Sequence, residues 1–369
     1  MNCLVKWTKY SIIHHILLIL GVTFMGINIV GNANIMSQID VATQSAFTEN
    51  RSLPHTLFSG AAGCGKTSTA RYIALNTGCK FLNISPDGIK KREDLFPIIN
   101  ALDKTGYDRF GRKTSKTRPS ILFIDEIHGL SLMAQEFLGI MMEEWYLPAT
   151  SKEAAKSPDY TGNPNEPFIA WVPEFTLIGA TTNDGMLSKP FRDRFKLRFL
   201  YTTYDMDDSI SIVMTHAESM KLKIEKDAAA EIAKRGRGVG RIIVGLLERC
   251  RDMAVFHSQE VITRALAEVT FHEMGIDASG LTSIDIKLMK ILYETGVPVG
   301  LENLAIQLNE SQRVLSEVTE PYLIRRGFVS RVSKGRILTN AGRRYLIEGK
   351  YVDAELSSSY IIPKRLHRT

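Results

Sequence analysis

Cysteine is scarce in this chain: four in 369 residues, at positions 3, 64, 79 and 250, with no CxxC pair. That scarcity argues against a disulfide framework and a clustered zinc site, and it fits a reducing, cytoplasmic compartment. A strong excess of one charge sign is also missing, since 46 Lys and Arg stand against 40 Asp and Glu, a formal charge of +6. Internal repeats and low-complexity tracts are not found. What is there, 44% hydrophobic and 23% charged residues, belongs to a globular chain, neither disordered nor collagen-like. The length exceeds what one core usually holds, so two or three domains are expected. The small basic excess is unevenly placed: from Ala278 onward, 14 basic residues face 9 acidic ones, as a polyanion-binding region would require.

After Pro54, short apolar runs at residues 56–59, 81–84, 121–124, 175–180 and 197–201 alternate with amphipathic stretches. The runs read as strands buried on both faces of a parallel sheet, and the alternation predicts an α/β fold. Residues 103–120 are rich in Lys and Arg and read as an exposed loop. Residues 150–167 are rich in Pro, Asn, Ser and Gly and read as a long insertion before the fourth strand. From Asp207 to about Met274 the periodicity becomes purely helical.

Residues 60–67 (GAAGCGKT) fit G-x-x-x-x-G-K-[ST], directly after a predicted strand and before a predicted helix. The glycines let backbone N–H groups approach phosphates, and the helix N-terminus favours negative charge. Lys66 can reach the outer phosphate oxygens, and Thr67 can hold Mg²⁺. The predicted nucleotide contacts of the loop are Gly60, Gly63, Cys64, Gly65, Lys66, Thr67 and Ser68. The apolar run 121–124 ends in Asp125-Glu126, one carboxylate for Mg²⁺ and one to polarise water as a general base. Thr181-Thr182-Asn183 follows the strand at 175–180, where a polar side chain can reach the γ-phosphate. Arg192-Asp193-Arg194 offers guanidinium groups suited to transition-state charge.

Near the C-terminus, Ile284, Leu288, Ile291 and Leu292 recur at helical spacing after Thr282-Ser283, which can cap. Residues 300–308 and 311–326 read as a second and third helix. Residues 329–332 and 336–339 flank Ser333-Lys334-Gly335 as a hairpin. Three helices and a hairpin make a winged helix. Arg313, Arg325, Arg326, Arg331, Lys334 and Arg336 fall on its third helix and wing, as candidate phosphate contacts. No pattern suggests base readout, so binding by charge and structure is expected.

The phosphate loop, FIDEIHGL, FTLIGATTN, KPFRDRF, GRGVGR and EPYLIRRGF resemble, in order, the motifs of the RuvB family, AAA+ motors of Holliday-junction branch migration. The similarity runs from about Ile29 to Tyr345. It implies an AAA+ core at 26–205, a helical lid at 206–277 and a winged-helix DNA-binding domain at 278–350, between an apolar segment (1–25) and a tail (351–369). It further implies that Thr182 is the first sensor and Arg194 an arginine finger acting on a neighbouring subunit's ATP. Arg241 resembles the second sensor. Ile29 and Val30 are similar to the adenine-side motif, and Tyr204 to an aromatic near the base. ATP and Mg²⁺, a hexameric ring, four-way-junction or duplex DNA and a RuvA-like partner are implied alongside. Three departures stand out. Ala61, Ala62 and Cys64 replace a Pro-rich loop, and residues 103–120 look added. Residues 143–173, with Trp145, Tyr146, Tyr160 and Trp171, are longer and more polar than the family's RuvA-docking hairpin, which points to a divergent partner. Another AAA+ DNA machine, such as a clamp or helicase loader, and a non-hydrolysing ATP switch are the alternatives.

Residues 12–30 form the one long apolar run, preceded by Lys6 and Lys9 as in a signal or anchor. His14, His15, Thr23 and Asn28 weaken it. No Lys or Arg lies between residues 31 and 50, so the positive-inside rule would put an ATP site outside the cytoplasm. A buried helix, or a start further in, is preferred to an anchor. Met25 is preferred to Met36 because the later start would delete the adenine-side motif.

Overall fold

The computed structural model describes residues 29–49, 51–105, 119–148 and 169–352. The chain divides into two compact units, Met1–Asp208 with Val239–Arg241, and Ser209–Gly238 with Ile242–Thr369.

The first unit is built on a five-stranded sheet. In chain order its strands are β1 (Thr56–Gly60), β2 (Phe81–Ile84), β3 (Ser120–Ile124), β6 (Phe175–Thr181) and β7 (Leu197–Tyr201). They lie in the order β2-β3-β6-β1-β7, every pair parallel. Side chains alternate between faces, and the alternation sorts the core into two layers. Leu57, Leu122, Ile124 and Leu177 pack on one side with Leu138, Phe191 and Phe195. Phe58, Ile121, Phe123 and Ile178 pack on the other with Ile39 and Ile73. Each such large apolar side chain contributes about 1.5–3 kcal/mol when fully buried. The central β3 and β6 are buried along their whole length, whereas β2 and β7 are half-exposed. The expectation of burial on both faces thus holds for the centre and fails at the edges, where the covering layers end.

A short antiparallel pair, β4 (Tyr146–Pro148) with β5 (Ile169–Trp171), extends from the helix Leu132–Glu144. Trp145 makes the turn in left-handed backbone (φ 55°) and sets its ring edge-on to Phe175 at 5.8 Å. Most of the loop predicted at 103–120 and all of the insertion predicted at 150–167, with Tyr160, lie outside the described residues, as do residues 1–28 with most of the apolar run; Ser120 already belongs to β3. Among the described residues, no helix is long and apolar enough to cross a membrane.

Helices Met206–Ser219, Lys226–Arg235, Gly240–Phe256 and Arg264–Glu273 follow one another in the second unit, save that the first residues of the first and third, Met206–Asp208 and Gly240–Arg241, belong to the first unit. The region is not purely helical, because Lys223–Ile224 pairs in parallel with Val261–Ile262. Each segment is the extended approach to a helix, and the two approaches run side by side. The winged helix comprises Ser283–Thr295, Leu301–Leu308 and a third helical run, followed by the antiparallel strands β10 (Val329–Val332) and β11 (Gly335–Leu338), numbered after the parallel pair as β8 and β9. A bridge between Val299 and Arg336 adds a third arm to the wing. Thr282 and Asp285 form a capping box at the first helix. The third run is Gln312–Val314, a π-helical turn Leu315–Thr319, then Glu320–Arg325. Helix Asn340–Glu348 closes the unit and buries Leu346 against Leu288, Leu304 and Leu323.

Candidate functional site

Three neighbouring strands, β3, β6 and β1, end at the same edge of the sheet, where open parallel sheets place their ligand sites. The loop after β1 turns through Gly60 (φ 134°), Gly63 (φ 76°) and Gly65 (φ 93°), backbone that favours glycine. A Cβ on Gly60 would come within 2.1 Å of the Tyr201 carbonyl oxygen, and one on Gly65 within 2.5 Å of the Tyr204 hydroxyl. Gly65 is also the N-cap of helix Lys66–Thr77, with no side chain to occupy its first-turn N–H groups. Thr67 and Ser68 lie in that first turn.

Lys66 is buried, and its Nζ donates to the carbonyls of Gly60 (2.7 Å) and Ala61 (2.8 Å). Burial pushes its ammonium below the usual lysine range, while Cys64, Glu126 and Asp125 pull it back up and Arg241 adds to the fall. Thr67 Oγ1 donates to Asp125 Oδ2 at 3.3 Å, joining the loop to the end of β3. Glu126 stands in left-handed backbone (φ 49°), and its Oε2 accepts from Thr182 Oγ1 at 3.2 Å. His128 completes the group. Its Nδ1 lies 3.2 Å from Glu126 Oε2 and 2.9 Å from the buried Thr181 hydroxyl. Sequence reasoning passed over His128. Its only signal was its position two residues beyond Glu126. A cleft of about 630 Å³ opens beside these groups, lined by Asn83, Ser85, Asp87, Asp125, Glu126 and His128 among others.

On the other side of the loop, Ile29 and Val30 lead into Gly31 and Asn32. Asn32 Nδ2 donates to the Cys64 carbonyl at 3.4 Å, and a Cβ on Gly31 would meet the Tyr204 ring at 2.5 Å. Burial, with Cys64 and Asp208 nearby, pushes the Tyr204 phenol up to about 12, so it stays protonated. Val239–Arg241 belongs to this unit, and the Gly240 N–H donates to Gly63 O at 2.9 Å.

Arg194 follows the short helix Lys189–Asp193. Its guanidinium packs on Gly139, pairs with Glu143 Oε2 at 3.0 Å and donates to Pro190 O at 2.9 Å. Those bonds tie it to the helix Leu132–Glu144 and to its own short helix rather than to Lys66, Asp125 or Glu126.

The six basic residues of the winged helix have different surroundings. Arg336 and Arg331 both reach inward to Glu320, which is fully buried: Arg336 Nε lies 2.5 Å from Oε1 and Arg331 Nε 2.9 Å from Oε2. Arg331 keeps half its surface exposed, but Arg336 is 16% exposed. Arg313 pairs with Glu317 one turn on. Arg325 donates to the Arg237 carbonyl at 3.3 Å, and Arg326 lies over the Phe328 ring. Lys334 sits in the exposed turn of the wing. The pairing with Glu320 had no sequence signal, because a Glu inside a basic motif reads as a surface residue.

Comparison with known proteins covers most of the chain. The Holliday junction DNA helicase RuvB P-loop domain matches residues 26–200, the RuvB AAA lid domain 204–277 and the RuvB C-terminal winged helix domain 278–347. The Holliday junction branch migration complex subunit RuvB of Bdellovibrio bacteriovorus is 33% identical over 324 residues, 87% of this chain and 91% of that protein. Its counterpart in Myxococcus xanthus is 35% identical over 318 residues, 86% of each chain. The solved Thermotoga maritima RuvB Holliday junction branch migration motor aligns with a TM-score of 0.70 at 31% identity, covering 86% of this chain and 95% of that one.

Proposed function

The chain belongs to the RuvB family, and from the chemistry its own residues bring together we propose that it is an ATP-hydrolysing motor driving branch migration of Holliday junctions. The observation that carries this reading is the convergence of Lys66, Thr67, Asp125, Glu126 and Thr182 at the ends of adjacent parallel strands.

Loop N–H groups and the Lys66 ammonium would hold the ATP phosphates at the helix N-terminus. A hydroxyl and a carboxylate are the hard oxygen donors Mg²⁺ takes, so Thr67 and Asp125 fit that ion. When bound, it would offset phosphate charge. Glu126 is the general base for the attacking water, oriented by Thr182, and Ile29, Val30 and Tyr204 face the adenine. Arg241 answers to the γ-phosphate from the chain's own lid. Arg194, tied to Glu143, would serve as an arginine finger for a neighbouring subunit in a hexameric ring. Lys334, Arg331, Arg313, Arg325 and Arg326 meet DNA phosphates, while Arg336 shapes the wing. A RuvA-like protein would dock at the β4–β5 hairpin, and the protein would act in the cytoplasm.

The test is ATP turnover with four-way-junction and duplex DNA at a stated salt concentration, while junction dissociation is followed. Glu126→Gln is expected to lower turnover by about 10²–10⁴-fold while nucleotide binding is kept. Equal turnover in variant and wild type would remove Glu126 as the base. Turnover without strand movement, in the presence of the partner, would remove the motor.

A further inference from the structure

Arg237 lies in the stretch 236–241 (GRGVGR), four residues before Arg241, and has no part in the site described above. Its backbone is left-handed (φ 59°), a conformation that disfavours any residue with a Cβ. Glycines flank it on both sides. A turn alone would be better served by a third glycine, so the side chain is present for what it binds.

What it binds is the winged helix. Arg237 Nε donates to the Gly280 carbonyl at 2.8 Å, and its guanidinium pairs with Asp285 in the first helix of that domain. The plane lies 4.5 Å from the centre of the Tyr322 ring, in the third helical run. Arg325, one turn on, faces the same ring at 5.8 Å and donates to the Arg237 carbonyl. Tyr322 in turn donates through Oη to Ser279 O at 2.5 Å. Arg237 is 9% exposed and Asp285 1%. Two residues further along the chain, Val239 begins the segment that clusters with the phosphate loop, where Gly240 bonds Gly63 and Arg241 bears on Lys66.

We propose that Arg237 is a positioning residue through which DNA on the winged helix controls ATP turnover, by setting the backbone that carries Arg241. The inference rests on the ATPase reading above. A DNA phosphate brings a full negative charge and can take the arginine fork through two parallel bonds, which a neutral backbone carbonyl cannot. Phosphate contact therefore draws Arg325 away from the Arg237 carbonyl, and the strained turn passes the change to residues 238–241.

The test uses the full chain with Arg237→Lys, which keeps the charge but loses the planar fork, and with Tyr322→Leu, which removes the ring shared by the two arginines. Three quantities are read: turnover without DNA, turnover with saturating four-way junction, and junction affinity by fluorescence anisotropy. The ratio of stimulated to unstimulated turnover is expected to fall by about fivefold or more in both variants, with junction affinity and unstimulated turnover kept. Unchanged ratios, or equal losses with and without DNA as a merely structural role would give, overturn the proposal. If Arg237→Lys does not fold, Tyr322→Leu decides. A wild type that DNA does not stimulate would remove the motor reading itself, a failure distinct from that of Arg237.

Discussion

The two units hold their inner polar side chains by different means. In the first, Lys66, Gln135 and His55 are anchored on backbone atoms, while a carboxylate serves Arg194 nearer the surface. Lys66 donates to two loop carbonyls, and Gln135 donates to Leu130 O and accepts from Ser188 N–H. His55 meets Met142 O and accepts from the Leu177 N–H. In the second, the anchors are carboxylates: Glu320 takes Arg331 and Arg336, Asp285 takes Arg237, and Asp277 accepts from Tyr345 and Tyr351. A backbone atom is placed by the strand-turn-helix itself, so the local motif tells where the side chain goes. A carboxylate is placed by whatever distant segment carries it.

That contrast can be broken deliberately. The largest effect is expected from Glu320→Ala, which leaves two arginines facing a buried gap. A loss of about 3–5 kcal/mol is expected, read by denaturant unfolding, with Glu320→Gln milder. Next comes Lys66→Ala, where the backbone anchors survive the loss of their guest. Turnover should fall by about 10²–10³-fold while the melting curve hardly moves. A shared collapse of melting and turnover would show that Lys66 holds the loop together.

The third prediction uses His55, whose imidazole burial pushes down to about 4, with the Met142 carbonyl opposing and Lys196 reinforcing the fall. Its folded value lies below the unfolded value of about 6.5, so the unfolded chain binds the extra proton between the two. Stability is therefore full above pH 6.5 and declines as pH falls toward 4, by about 3 kcal/mol, levelling below that. His55→Gln should flatten this part of the pH–stability curve, and an unchanged curve would contradict the assignment. The smallest effect separates two wing residues. Lys334→Ala should reduce the slope of log affinity against log salt by about one, without changing base preference. Arg336→Ala should lower the melting temperature and leave that slope alone.

Much of this molecule was legible in order. Residues 81–84 and 197–201 are strands with the bounds read from the apolar runs, and residues 121–124 and 175–180 gain one residue each. Apolar runs between turn residues carry that information because parallel strands bury both faces at the sheet centre. The Lys66, Thr67, Asp125 and Glu126 group was legible for the same reason: each follows a readable strand. The two-residue strands at 223–224 and 261–262 are too short to show an alternation. The clamp on Arg237 joins residues 48 apart, and the Tyr345–Asp277 bond joins residues 68 apart. Helical periodicity says which face of a helix is apolar. It does not say which acid will meet which arginine.

The π-helical turn Leu315–Thr319 acts as a phase shifter. Pro321, just beyond it, has no N–H to donate back along the helix, and the widened turn absorbs one extra residue before it. One residue of an α-helix is about 100° of rotation. Val314, just upstream, and Val318, inside the turn, face solvent, 37% and 61% exposed, while Thr319 and Glu320 point inward. Deleting a single residue from that turn would make a more regular helix. It would also swing Glu320 off the wing, so the irregularity is the setting that keeps the two strands of the wing in register with the helix that carries them.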